Sequence, residues 1–124
     1  MEMKSYFESV EGIGVLATAD AEGNVDTALY GRPHFMDDGT FVFIMADRKS
    51  YRNLKANPRA SYLFMEKNPA EKKYAGKRLY LTMVKDEQDD TFINSLRQHS
   101  HGEGKAGRHA VFFEIVNVRP LVGD

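Results

Sequence analysis

The feature that most constrains this sequence is a two-residue hydrophobic period that recurs between turn signals. Ile13, Val15 and Ala17 share one face, and Gly14, Leu16 and Thr18 the other. Tyr62 and Phe64 alternate with Ser61, Leu63 and Met65, and Leu79, Leu81 and Met83 alternate with Tyr80, Thr82 and Val84. Val111, Phe113 and Ile115 repeat the pattern further on. Side chains alternate across a strand, so this period specifies β-structure. Six strands are expected, near 13–19, 25–36, 40–46, 60–66, 78–85 and 109–118. Ala21-Glu22-Gly23-Asn24 and Asp37-Asp38-Gly39 supply turn residues between the first three. Pro33 cannot donate to a ladder, so the second strand must be at an edge, bulged or broken there. The 40–46 segment is apolar on both faces, and one barrel interior covers only one of them. A second copy of the chain is the expected cover for the other.

Short helices interrupt the pattern. Met3, Tyr6, Phe7 and Val10 recur at helical spacing before Gly12 and Gly14. Ser50 reads as the N-cap of a second helix carrying Tyr51 and Leu54, stopped by Asn57-Pro58. Asp89 or Asp90 begins a third, with Phe92, Ile93 and Leu96 as its apolar face. The order is α-β-β-β-α-β-β-α-β, which suits a small antiparallel barrel. No linker or repeat divides the 124 residues, so residues 1–124 are expected to be one domain.

Composition removes several classes of function. There are no cysteines, which excludes thiolate nucleophiles, disulfides and cysteine-held metals. Seventeen Lys and Arg against 18 Asp and Glu leave a net charge of −1, without the basic excess of a duplex-binding module. The first residues lack the apolar core of a signal peptide, and the longest apolar run is Phe41 to Ala46, so a cytoplasmic protein is expected.

Few motifs carry chemistry. Gly12-Ile13-Gly14 follows a helix rather than a strand, so it reads as a helix-to-strand turn and not a dinucleotide loop. His99, His101 and His109 share a Gly-rich loop without a fixed carboxylate, which reads as a solvated loop, and no metal is expected. Asp37-Asp38 and Asp86 to Asp90 sit at a turn and before a helix, where acids are ordinary. The informative stretch is Arg48-Lys49-Ser50-Tyr51-Arg52, three cations around a Ser at a helix start. Free N–H groups and the helix dipole favour an anion there, and phosphate is the usual one. Arg32 and His34, near the end of the neighbouring strand, could approach the same point. The residues alone leave open whether this is an anion site or a solvated helix start. The Lys67 to Lys77 loop is locally basic and is expected to border a cofactor mouth, a subunit seam, or solvent alone.

Asp38-Gly39-Thr40-Phe41-Val42-Phe43, the basic segment, and then Arg52-Asn53-Leu54-Lys55-Ala56-Asn57-Pro58-Arg59-Ala60 resemble the FMN-binding split-barrel proteins related to pyridoxamine 5′-phosphate oxidase. The likeness runs over nearly the whole chain. It implies a mainly β fold (α+β by some counts): a six-stranded antiparallel Greek-key split β-barrel with short flanking helices. It also implies a homodimer with FMN at the interface. Backbone groups of Leu29, Tyr30, Gly31 and Arg32 would line the ring and ribityl chain, and Ile44, Met45 and Ala46 would touch the flavin. Lys49 and Ser50 fall on the family's phosphate-binding pair, with Arg52 beside them, and His34 on another basic position. Arg78 falls on a polar contact at the start of the fifth strand.

The sequence departs from the family pattern at Met45, where a Thr is usual, at Ser50, where a Lys is usual, and at Leu29, where the true oxidases carry Arg. The true oxidases also continue with substrate-binding residues beyond the point matching Asp124. The expectation is a flavin-binding oxidoreductase or electron carrier of unknown substrate, not the vitamin-pathway enzyme. The same barrel family includes haem-handling and deazaflavin-using members. From a different class, an OB-like barrel binding single-stranded nucleic acid also fits the element order, and so does a cofactor-free interaction protein.

Overall fold

The computed structural model of the chain describes residues 2–69, 73–96 and 107–123. The elements in chain order are α1 (Glu2–Ser9), β1 (Gly12–Ala19), β2 (Val25–Tyr30), β3 (His34–Phe35), β4 (Phe41–Met45), α2 (Lys49–Ala56), β5 (Arg59–Glu66), β6 (Gly76–Glu87), α3 (Asp90–Leu96) and β7 (His109–Pro120). All strands pair antiparallel in one curled sheet, ordered β2-β1-β5-β6-β7-β4-β3. The seven strands of the described residues, in this order, form the split barrel rather than the five-stranded OB barrel.

The expected second strand is two. Its first part, β2, pairs with β1, whereas its second part, β3, pairs with β4 (His34 with Val42, Phe35 with Phe41). Pro33 lies in the break, where its missing N–H costs no ladder bond. β2 and β3 are the two edges of the sheet, and three residues join them. A chain spans at most about 3.6 Å per residue, so the edges must lie close and the sheet must curl.

The barrel interior takes one face of every long strand. Phe7, Leu16, Phe41, Phe43, Met45, Leu54, Tyr62, Phe64, Leu79, Leu81, Val111 and Phe113 form one buried cluster. Tyr62 lies at its centre, against Phe43 at 4.9 Å between ring centroids. Its hydroxyl is shared between the carbonyls of Gly31 at 2.8 Å and Tyr30 at 3.2 Å, tying β5 to the break after β2. Gly12 and Gly14 are not a helix-to-strand turn but lie within β1, where a Cβ at Gly14 would run into the Tyr62 ring.

The other face of β4 is covered from within the chain. Val42 and Ile44 pack with Ala110 and Phe112 of β7 beneath Phe92, Ile93 and Leu96 of α3. The two-faced apolarity of this strand is thus explained by α3, and it gives no argument for a second copy. One exposed apolar patch lies elsewhere, on the outer face of β2, β1 and β5. Leu29 and Val15 are directly paired, as are Val15 and Leu63, and Ile13 and Met65 form the next row. Leu29 is 75% exposed and Ile13 55%, and no helix of the described residues covers them. No helix of the described residues is long and apolar enough to cross a membrane.

Candidate functional site

Helix α2 begins where β4 leaves the barrel. Its N-cap is Arg48, in extended conformation, and no side chain caps the helix there. Ser50 is therefore not the cap expected from the sequence. It lies in the first turn, buried, close enough to Tyr30 to act on its phenol. Burial pushes the Tyr30 pKa up, while Ser50 and Arg48 oppose that shift. Two bonds fix the local chain, Arg48 N–H to the Ala46 carbonyl at 2.8 Å and Arg52 N–H to the Arg48 carbonyl at 2.9 Å. The first turn carries no acidic residue.

Arg48 and Lys49 are both exposed, and neither forms an ion pair among the described residues. Asp20, in the β1–β2 turn, is the carboxylate that feels the Lys49 charge, and its pKa is lowered mainly by its hydrogen bonds to Asn24. Arg52 turns away: Nε is 3.3 Å from Asp47 Oδ1, and one terminal nitrogen donates to the Asp47 carbonyl at 3.0 Å. It braces the β4–α2 connection and partly neutralises the nearest acid. The helix is also pinned to β1, since buried Asn53 donates to buried Thr18 Oγ1 at 3.0 Å.

The expected site residues thus fall into groups. Tyr30, Ala46, Lys49 and Ser50 are brought to the start of α2, together with Arg48. Leu29 stands on the outer face of edge strand β2, and Gly31 beside it is open, with room around its Cα. Ile44 is half-buried beside α3, and the Met45 side chain is inside the barrel, leaving Met45 its backbone for any outside contact. His34 pairs with Val42 on β3.

The remaining two arginines are committed to other ends of the chain. Arg32 donates to the Phe7 carbonyl at 2.8 Å and closes the C-terminal end of α1 rather than reaching Lys49. Arg78 donates to the Pro120 carbonyl at 2.8 Å and to that of Gly123. It shares the Leu29–Val15–Leu63 row of the outer face, three strands from Leu29. The basic loop begins beyond β5 at its α1 end, where Lys67 N–H donates to the Glu11 carbonyl; its residues 70–72 lie outside the described residues. His99 and His101 lie outside them too, while His109 is buried at the start of β7. Among the described residues no group of His, Asp or Glu could hold a metal ion.

Chemically, the α2 start fits a phosphate. It offers backbone donors at an uncapped helix end, two cations that form no ion pair among the described residues, and no acid in the first turn. Beyond it, Ala17, Ala19, Val25, Arg59 and Tyr80 line a shallow outer groove of about 330 Å³. The sequence did not disclose that Tyr51 of α2, Asp86 of β6 and His109 of β7 form a cluster. Only the i, i+4 spacing of Tyr51 and Lys55 hints that they share a face.

A family model described as Pyridoxamine 5′-phosphate oxidase matches residues 2–120. No curated protein matches the sequence. Among solved structures, the fold is similar to an FMN-binding protein from Syntrophomonas wolfei subsp. wolfei, with a TM-score of 0.77 and 19% identity over 98% of this chain and 85% of that one. It is similar to an F420 reductase, with a TM-score of 0.71 and 19% identity over 94% of each chain. It is also similar to HutZ, the haem storage protein from Vibrio cholerae, with a TM-score of 0.68 and 16% identity over 95% of this chain and 91% of that one.

Proposed function

Because the chain belongs to the pyridoxamine 5′-phosphate oxidase family, we propose that it is an FMN-binding flavoprotein that works as an oxidoreductase or electron carrier. The observation that carries this reading is the uncapped start of α2, with Arg48 and Lys49 exposed and no acid in its first turn. These groups would hold the FMN phosphate. Backbone of Leu29 and Tyr30 on the edge strand, and of Gly31 just beyond it, would run beside the ribityl chain and ring. Arg52 contributes by holding Asp47 away from the phosphate. When bound, FMN supplies hydride and single-electron chemistry, while the protein grips and orients it.

A ligand site commonly buries most of its ligand's surface, and the outer groove is too shallow to do so alone. We therefore propose a homodimer in which a second copy covers the exposed row of Ile13, Leu29, Leu63 and Met65 and completes the flavin site.

Titration with FMN and with riboflavin, which lacks the phosphate, tests the assignment. A charge-assisted contact contributes about 1.5–3 kcal/mol, so Lys49→Ala should cost FMN about 10- to 150-fold and leave riboflavin unchanged. Equal affinity of the wild type for both ligands would refute the phosphate site. A deazaflavin or haem in place of FMN is the second reading, supported by the similar folds of the F420 reductase and HutZ. A Soret band, or tighter binding of a deazaflavin than of FMN, would decide for it.

A further inference from the structure

Outside the phosphate-binding end itself, α2 carries a second set of polar contacts, directed at β6 and β7. Tyr51, the third residue of the helix, donates its hydroxyl to Asp86 Oδ2 at 2.5 Å. Lys55, one turn later, places its ammonium 3.6 Å from Asp86 Oδ1. The His109 ring lies flat on the Tyr51 ring, 3.8 Å between centroids and 14° apart. His109 Nδ1 is buried without a hydrogen-bond partner, 3.6 Å from the same Asp86 Oδ2.

Neutral His109 offers Asp86 either a bare Nδ1 lone pair, which gains nothing, or a single uncharged Nδ1–H. The imidazolium, with a proton on each nitrogen, pairs with Asp86 and also lies over the face of Tyr51 as a cation. Proton uptake by His109 therefore ties the ring that stacks on Tyr51 to Asp86 and turns that stacking into a cation–π contact. The Tyr51 amide is one of the uncapped donors in the first turn of α2, so firmer anchoring of Tyr51 fixes the direction of that donor.

Among the described residues the charged neighbours are few. Lys55 competes for Asp86 from α2, and Asp47 faces Tyr51 from the segment before the helix. Lys85 and Glu87, flanking Asp86 on β6, pair with each other at 3.1 Å. Arg108, preceding His109, donates to Asn94 of α3 at 2.9 Å. The Tyr51 bond, then Lys55 and His109, hold the Asp86 carboxyl below the usual range, so it stays ionised while His109 changes charge.

We propose that Asp86 and His109 are positioning residues for the anion-binding end of α2, and that proton uptake by His109 tightens its grip on a flavin phosphate. This rests on the FMN reading above. The test measures the ratio of FMN to riboflavin affinity from about pH 5 to about pH 8 in the wild type, His109→Gln, Asp86→Asn and Tyr51→Phe. The FMN phosphate has its own ionisation near pH 6, common to all four proteins, so the differences between proteins are diagnostic. The wild-type ratio should exceed that of His109→Gln by about 3- to 10-fold at the acidic end and converge with it at the alkaline end. Asp86→Asn and Tyr51→Phe should lower the ratio without changing riboflavin affinity.

Equal pH profiles for the wild type and His109→Gln, alongside a normal FMN preference, would overturn this proposal alone. Loss of both ligands in parallel in the variants would also overturn it, since that marks a purely structural clamp. A wild type with no FMN preference at any pH would overturn the FMN reading as well. In the ligand-free protein, the Lys49, Ser50 and Tyr51 amide shifts should titrate in the wild type and stay flat in His109→Gln. Flat shifts in both would refute the coupling whatever the flavin does.

Discussion

Replacing Gly14 by alanine should destabilise the protein by about 3 kcal/mol, although the same change at an open strand position is favourable. An alanine stiffens the unfolded chain and by itself stabilises by about 0.4–1 kcal/mol. Here its methyl would lie 2.5 Å from Tyr62 Cε1 and closer still to the ring's Cζ and Oη. Tyr62 cannot step aside cheaply, because it is fully buried and wedged among Phe7, Phe43 and Phe64. Forcing such a core apart costs about 1–3 kcal/mol. Displacing the ring also breaks the bond that the hydroxyl's single proton shares between the Gly31 and Tyr30 carbonyls, about 0.5–1.5 kcal/mol. For a domain this size the sum corresponds to a fall in Tm of roughly 10 °C. Urea unfolding of Gly14→Ala and of the control Gly31→Ala measures it. Gly31 has open space around its Cα and should tolerate the change within about 0.5 kcal/mol. A loss below about 1 kcal/mol at Gly14, or an equal loss at both sites, would refute the packing argument.

Three further outcomes can be checked. Ile93→Ala, which empties the contact between α3 and the outer face of β4, should cost about 2–5 kcal/mol by denaturant unfolding, and a near-neutral result would mean that α3 does not cover that face. Leu29→Lys, on the exposed row, should turn the proposed dimer into a monomer by light scattering; a wild-type mass of 14.1 kDa would refute the dimer at once. Asp38 accepts the Thr40 N–H and hydroxyl, which lower its pKa; its contribution is complete above the unfolded value near about pH 4 and fades as pH falls through the lower folded value, so Asp38→Ala should blunt the acid limb of the stability curve and leave its slope above about pH 5 unchanged.

The strands were legible because their signal is local: two-residue alternation and turn residues need no knowledge of the partner. The stop of α2 before Pro58 and the break at Pro33 follow from single residues with fixed geometry. Which strand pairs with which is not written locally, so the chain's passage from one sheet edge to the other across Gly31 to Pro33 was not visible. The same limit explains why Val42 and Ile44 suggested a second copy: their cover, α3, follows about fifty residues later. At the site, the basic run marked the right helix end. Its division of labour was hidden, because Arg32, Ser50 and Arg52 are engaged by α1, Tyr30 and Asp47, whose proximity only the folded chain creates.

The place of β7 in the sheet bears on synthesis. It is the last strand in sequence, yet it stands between β6 and β4. A nascent chain that has not yet released residues 109–120 can form β2-β1-β5-β6, but β4 then has only β3 beside it, across two residue pairs. One whole edge of Phe41-Val42-Phe43-Ile44-Met45 would be unpaired, an apolar, uncharged and largely β-branched or aromatic segment of the kind that templates aggregation. At about 5–20 residues per second, the interval between the emergence of β4 and that of β7 lasts several seconds. Ribosome-associated chaperones would therefore matter most for this protein during that window, and slow codons between the two strands would lengthen its exposure.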